Sequence, residues 1–334
     1  MTAIVVGSVA FAVAFACAAL MGFAIQRGAT CTVAAVDEVL TKRRATRLVA
    51  LVEASVWVAG GLLVAQALGV LPRMPPGFAI GGWTVAGGVL LGLGAFVDRA
   101  CVFGAIARLG SGEWAYLLTP VGYGIGCATL GAVFAPARPM ALTETSPVLQ
   151  APPWLAYAFV AFVLFRLLKP LLAGDGGPVT ARLRHALRAR LWTPHAATSV
   201  IGVTFLVMLL VVGAWAYTDL LADLARGMAH SVVARTLLLL ALLGGAAWGG
   251  WSAGRWRATR PTVTQAVRCL GGGALMGWGT LLIPGSNDGL ILIGMPLLWP
   301  YAWVAFATMC VAIAAAQLGT RFLTFRSRPV GRTS

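Results

Sequence analysis

Five stretches of the chain, 3–25, 48–71, 152–172, 198–217 and 232–250, are apolar over about the twenty residues that a helix needs to cross a bilayer. Lysine and arginine gather between or beyond such stretches, at 42–47, 182–190, 255–268 and 321–332. Charged residues make up 10 % of the sequence and the mean hydropathy is +0.87, whereas soluble domains carry roughly 25 % charged residues. In lipid every backbone polar group must be satisfied internally, and helices do this within one segment. The chain therefore reads as an all-α integral membrane protein, a polytopic helical bundle.

The formal net charge of +15 does not point to nucleic acid. The basic residues form short clusters between apolar runs, as in cytoplasmic membrane loops, and no nucleic-acid-binding module is present. Membrane lipid is the expected surrounding and no nucleic-acid partner is expected. The six cysteines, Cys17, Cys31, Cys101, Cys127, Cys269 and Cys310, lie in or beside apolar segments without a CxxC pair. The histidines, His185, His195 and His230, lie far from them in sequence. Neither a disulfide framework nor a zinc site is expected, and no metal or cofactor. No phosphate-binding P-loop is present, so coupling to ATP by this chain is excluded on motif grounds. Residues 1–25 lack a basic leader and a clear cleavage site, and read as a retained first helix.

Two apolar runs are interrupted by polar residues. Residues 86–109, AGGVLLGLGAFVDRACVFGAIARL, break at Asp98-Arg99-Ala100-Cys101; residues 271–294, GGGALMGWGTLLIPGSNDGLILIG, break around Ser286, Asn287 and Asp288. An offset of 185 residues aligns Gly92 with Gly277, Gly94 with Gly279 and Cys101 with Ser286. A third polar interruption, Gln26-Arg27-Gly28-Ala29-Thr30-Cys31, follows the first apolar run. Ionisable residues at membrane depth are costly and mark function.

Placing every basic cluster inside puts the N-terminus outside and the C-terminus inside. The halves then run in opposite directions. The expected architecture is one membrane domain over 1–334, with a first inverted repeat at 1–150, an extra crossing helix and basic cytoplasmic linker at 151–194, and a second inverted repeat at 195–325. The two broken or re-entrant helices are expected to meet near the midplane. There, half-helix N-termini present free N–H groups and a positive dipole end, which favour an anion. The candidate binding residues are Cys101, Cys31, Arg99, Arg27, Gln26, Ser286 and Asn287. Plainer readings stand beside them. Arg27 and Arg99 either hold an anion or snorkel to the interface. Asp98 either serves the site or neutralises Arg99, and residues 283–288 are either re-entrant or an exposed turn. Asp288 suits a cap on the following half-helix. Cys17, Cys127 and Cys310 read as packing.

The segment GFAIQRGATC at 22–31, the glycine-rich run into Ala100-Cys101 with GAIARLGSGEWAYL after it, and the break at 283–288 resemble the YeeE/YedE family of sulfur-transport membrane proteins. The likeness extends from about residue 15 to 320. It implies uptake of thiosulfate, with pore-axis cysteines hydrogen-bonding the sulfur of the passing anion. Cys31 and Cys101 match two of those positions. The third falls on Ser286, and Ala100-Cys101 stands where the family usually has Gly-Cys.

The expected function is an inner-membrane permease for a small sulfur-containing anion, thiosulfate first, in a bacterial cytoplasmic membrane and not an enzyme. Its expected partners are the anion and a cytoplasmic sulfur carrier or sulfurtransferase. The alternatives are a permease for another inorganic anion and a membrane sulfurtransferase or thiol-redox protein carrying a persulfide on Cys101 or Cys31. No histidine near either cysteine in sequence supplies the base that an enzyme would need.

Overall fold

The computed structural model describes residues 6–133, 139–172, 189–228 and 231–326. Within them the regular structure is helical, apart from isolated bridges between Phe78 and Ala141 and between Glu113 and Thr259. The first half contains α1 (Val9–Gly28), α2 (Thr32–Lys42), α3 (Thr46–Ala67), α4 (Gly82–Asp98), α5 (Val102–Leu109) and α6 (Leu118–Val133). Helix α7 (Trp154–Leu172) follows. The second half contains α8 (Pro194–Val212), α9 (Tyr217–Ala225), α10 (Val232–Ser252), α11 (Val263–Leu282), α12 (Asn287–Gly294) and α13 (Pro300–Arg326).

Six segments have the length and apolarity to cross a membrane, and the pair α11–α12, bent by 48° at its break, makes up to seven. The chain is a multi-pass membrane protein. Local chemistry sets the helix ends. Ser8 caps α1 by accepting from Phe11 N–H at 3.1 Å. Thr193 with Pro194 opens α8, and a reciprocal Thr262–Gln265 pair opens α11. Residues Trp114–Leu117 form a tight 3-10 turn, and α6 starts directly after it at Leu118. The arginines at 182, 184 and 188 of the basic linker, with His185 and His230, lie outside the described residues.

The contacts pair off between halves. Helix α1 packs on α10, and α8 on α3; α11 packs on α6, and α4 on α13. Smaller contacts follow suit, α9 on α6 with α2 on α13, and α10 on α5 with α3 on α12. Small residues permit the closest approaches. A Cβ on Gly245 of α10 would lie 1.8 Å from the Ala19 carbonyl oxygen, and one on Gly22 of α1 would lie 1.9 Å from that of Leu242. Without a hydrophobic drive between helices in lipid, such backbone proximity is what makes packing favourable.

The basic segments converge on one end. Arg321 pairs with Asp37 at 2.7 Å. Arg257 N–H donates to Ser111 O at 2.9 Å, and Trp192 N–H to Arg27 O at 3.0 Å. Residues 77–79 pair with 140–142 at the other end, where Ser146 Oγ donates to Leu297 O at 2.6 Å.

Candidate functional site

Each half has two helix breaks. The first follows α1, where Ala29 turns left-handed at φ 46° and Cys31 is extended ahead of α2. The second follows α4, where Arg99 turns at φ 63° and Cys101 precedes α5. The third follows α8, where Gly213 at φ 89° leads to Ala216 before α9. The fourth follows α11, where Pro284 at φ 31° leads to Ser286 before α12. The residues opening the restarted helices are 185 apart in pairs: Cys31 with Ala216, and Cys101 with Ser286. None of the four side chains caps its own helix. Where first-turn N–H groups do meet a side chain, the acceptor is not the N-cap residue: Thr32 N–H meets Cys101 Sγ from the neighbouring break, and Gly289 N–H meets Asp288 Oδ1.

The four starts are tied together. Thr32 N–H donates to Cys101 Sγ at 3.1 Å, and Thr32 Oγ1 donates to Asn287 Oδ1 at 3.2 Å. Tyr217 OH donates to Val102 O at 3.1 Å. Ser286 Oγ hydrogen-bonds Thr218 Oγ1 at 2.8 Å and also contacts the Asp288 carboxylate. Thr218 Oγ1 donates to both Asp288 oxygens, at 2.9 and 3.0 Å. The two sequence-visible breaks therefore meet through Thr32. The Cys31 and Cys101 thiols hydrogen-bond one another. Cys101, Ser286 and Asn287 are fully buried, and the Asn287 amide nitrogen has no hydrogen-bond partner among the described residues. A buried amide donor without a partner costs about 1–3 kcal/mol.

A cleft of about 500 Å³ reaches this junction from the basic end. Its walls include Gln26, Cys31, Arg47, Arg99, Arg108 and Arg255, with Asp37 and Glu113 as the acidic members. On the far side of the junction, Met21, Ile25, Phe103, Phe205, Tyr217 and Asp288 surround a cavity of about 10 Å³, at the lower limit for one water molecule. The space is thus open at the basic end and only water-sized beyond the junction.

The structure sorts the seven expected residues. Cys31, Cys101, Ser286 and Asn287 come together at the junction. Gln26 and Arg99 line the cleft, where Gln26 Nε2 donates to Ser111 Oγ at 3.3 Å. Arg27 turns elsewhere: its guanidinium bonds Ala189 O and, at 2.9 Å, Ser252 Oγ, and lies over the Phe23 ring. It ties the start of α8 to the end of α10. Asp98 does not pair with Arg99. Its carboxylate accepts from Thr119 Oγ1 at 3.1 and 3.3 Å and lies beside the Cys269 thiol. Asp288 sits in the first turn of α12 and accepts from Gly289 N–H at 3.0 Å. Cys127 Sγ donates to Gly277 O at 3.7 Å, a packing contact between α6 and α11. The third break, with Tyr217 and Thr218, and the role of Thr32 have no counterpart in the sequence reading. Applying the 185-residue offset to Gly28 and Cys31 points to Gly213 and Ala216.

A family model described as sulphur transport matches residues 27–315, which include all four breaks. The chain belongs to this sulphur-transport family. No curated protein matches it. Family membership, together with the apolar helices, makes the chain a membrane sulfur transporter and agrees with the YeeE/YedE likeness carried by residues 22–31 and the two glycine-rich breaks.

Proposed function

We propose that the protein takes thiosulfate into the cell through the junction of the four helix starts, and that its two halves are inverted repeats. The observation that carries the reading is the absence of self-capping at all four starts, around a thiol pair and an unpartnered Asn287 amide. The positive dipole ends of the four converging starts suit the anion's oxygens. The Asn287 amide donates to an oxygen as well. The Cys101 and Cys31 thiols give weak S–H donors to the soft terminal sulfur. Weak donors hold without trapping, which passage requires. The arginine-lined cleft then draws the anion away.

The contacts fall into pairs that interconvert when each αn is exchanged with αn+7, which supports the repeat reading, with α7 as the additional crossing. By the positive-inside rule the basic end is cytoplasmic. The N-terminus then lies outside and the C-terminus inside, and the cleft faces the cytoplasm of a bacterial inner membrane. A cytoplasmic sulfur carrier or sulfurtransferase is the natural recipient there. Among the described residues no histidine stands beside the thiols to act as base, which favours passage over a covalent persulfide.

The test is uptake of radiolabelled thiosulfate into proteoliposomes. Entry above protein-free vesicles, with loss in Cys101→Ala, is expected. Equal uptake by parent and Cys101→Ala would remove the thiol from the path. Topology reporters at residues 145 and 185 should report opposite sides.

A further inference from the structure

The Asp288 carboxylate is 4 % exposed and forms no ion pair among the described residues. Its neighbours fix its surroundings on every side. From α1, α5, α8 and α10 it meets the apolar lining Met21, Phe103, Phe205 and Leu242. The titratable groups facing it are Asp219 and Tyr217 on α9, Tyr123 on α6, and Cys101 at the start of α5. From α3, Ser55 Oγ donates to Ile291 O at 2.6 Å one turn along α12, a hydroxyl that brings no charge. A lysine or arginine is not among these groups. Thr218, Ser286 and Gly289 N–H face the carboxylate, but without a cation beside it the buried charge is expensive unless it is neutralised. This one also stands one residue from Asn287, the amide assigned to the anion.

The hydrogen bonds show where a proton would go. Ser286, Thr218 and Asp288 form a closed triangle with all three sides in contact. The two hydroxyls supply two protons for three contacts. A third proton, on the carboxyl, closes the ring: Ser286 donates to Thr218, Thr218 to one Asp288 oxygen, and the protonated oxygen to Ser286. Thr218 Oγ1 lies 2.8 Å from Ser286 Oγ and 2.9 Å from the nearer carboxylate oxygen, so the triangle is closed by hydrogen bonds.

We propose that Asp288 takes up one proton from the outer side with each anion and releases it inward, making uptake proton–anion symport. This rests on the anion path proposed above. A dianion beside an ionised Asp288 meets like-charge repulsion at close range. Binding H⁺ to the carboxylate removes that repulsion, and losing H⁺ to the cytoplasm restores it and favours anion release. Atoms and charge balance: one proton and one anion enter together, and the carboxylate returns to its starting state. A dianion moving into a negatively polarised cell moves uphill, and the proton offsets one of its two charges. Asp98, the other buried carboxylate among the breaks, faces Thr119 and Cys269 between α6 and α11, away from this ring.

The experiment uses the full chain in proteoliposomes with a pH-sensitive dye inside. Addition of thiosulfate outside is expected to acidify the lumen, and an imposed pH gradient, acid outside, to drive accumulation several-fold above equilibrium. Asp288→Asn should abolish both signals, while Asp98→Asn keeps the acidification. Thiosulfate exchange between the two sides, measured on each variant, reports whether the protein is folded. Thiosulfate entry by the parent without acidification overturns the proposal and leaves the anion path standing. So does accumulation driven by a sodium gradient and not by a pH gradient. No thiosulfate entry by the parent overturns both.

Discussion

The first-half breaks and the second-half breaks use one backbone device with different side chains. In both halves a left-handed or strained residue ends a helix, and an extended residue without a self-capping side chain starts the next. Cys31 and Cys101 fill the first-half positions with two thiols in mutual contact. The equivalent positions in the second half hold Ala216 and Ser286, and the polar chemistry moves to Thr218 and Asp288. The backbone geometry is thus duplicated while the chemistry is divided. One side offers soft, weak donors and the other a hydroxyl–carboxyl ring. On the account above, the first recognises sulfur and the second carries the proton.

The largest expected effect breaks the thiol side. Cys101→Ala removes both the donor to the anion and the acceptor of Thr32 N–H, which leaves a buried donor worth about 1–3 kcal/mol without a partner. Uptake should fall below detection at equal expression. Cys101→Ser keeps the acceptor and hardens the donor, so partial uptake in that variant separates the two effects.

Next comes Gly104→Ala. A Cβ there would lie 2.6 Å from Cys31 Sγ, so the Cys31 thiol must move from its contact with Cys101. Losing one hydrogen bond of about 1.4 kcal/mol lowers the uptake rate about tenfold. Cys31→Ala should give a similar loss. If Gly104→Ala transports normally while Cys31→Ala does not, the position of that thiol is less constrained than its contacts imply.

Breaking the ring side should cost less. Ser286→Ala leaves Asp288 with Thr218 and Gly289 N–H, so thiosulfate uptake should fall by only about two- to fivefold. Ser286→Cys would place a third thiol at the junction and make the halves more alike. Higher thiosulfate affinity in that variant, from the ratio of uptake at low and high concentration, would sharpen the division described here.

The smallest effects belong to thiols outside the junction. Cys310 is half-buried on α13, and Cys127 packs against Gly277. Replacing either by alanine should change uptake by less than about twofold, a free-energy change below about 0.4 kcal/mol. A larger loss would mean that thiols act through packing generally.

The membrane class and the breaks at 98–101 and 283–288 were legible because lipid demands long apolar runs and charges interrupt them conspicuously. The break at 213–216 was hidden. Gly213, Ala214, Trp215 and Ala216 carry no charge, and the nine-residue helix after them is too short to read as a crossing. Arg27 looked like an anion ligand because sequence shows its charge but not its partners, and the structure gives those partners as Ala189 and Ser252. Asp98 and Arg99 are neighbours in sequence. The left-handed turn at Arg99 sends one side chain into the helix interface and leaves the other exposed beside the cleft. Arg47, Arg108 and Arg255 come from three separate segments, so their shared cleft appears only after folding.

The central claim is that thiosulfate lies against the Cys31–Cys101 pair. Cys31 is half-buried and lines the cleft, so a soluble alkylating reagent can reach it in the purified protein. The rate of Cys31 alkylation, followed by mass spectrometry with Cys310 as the internal reference, measures occupancy directly. Thiosulfate is expected to slow modification of Cys31 in a saturable manner and to leave Cys310 unchanged. Sulfate, which has oxygens but no soft terminal sulfur, is expected to protect less. Equal rates at Cys31 with and without saturating thiosulfate would contradict the account.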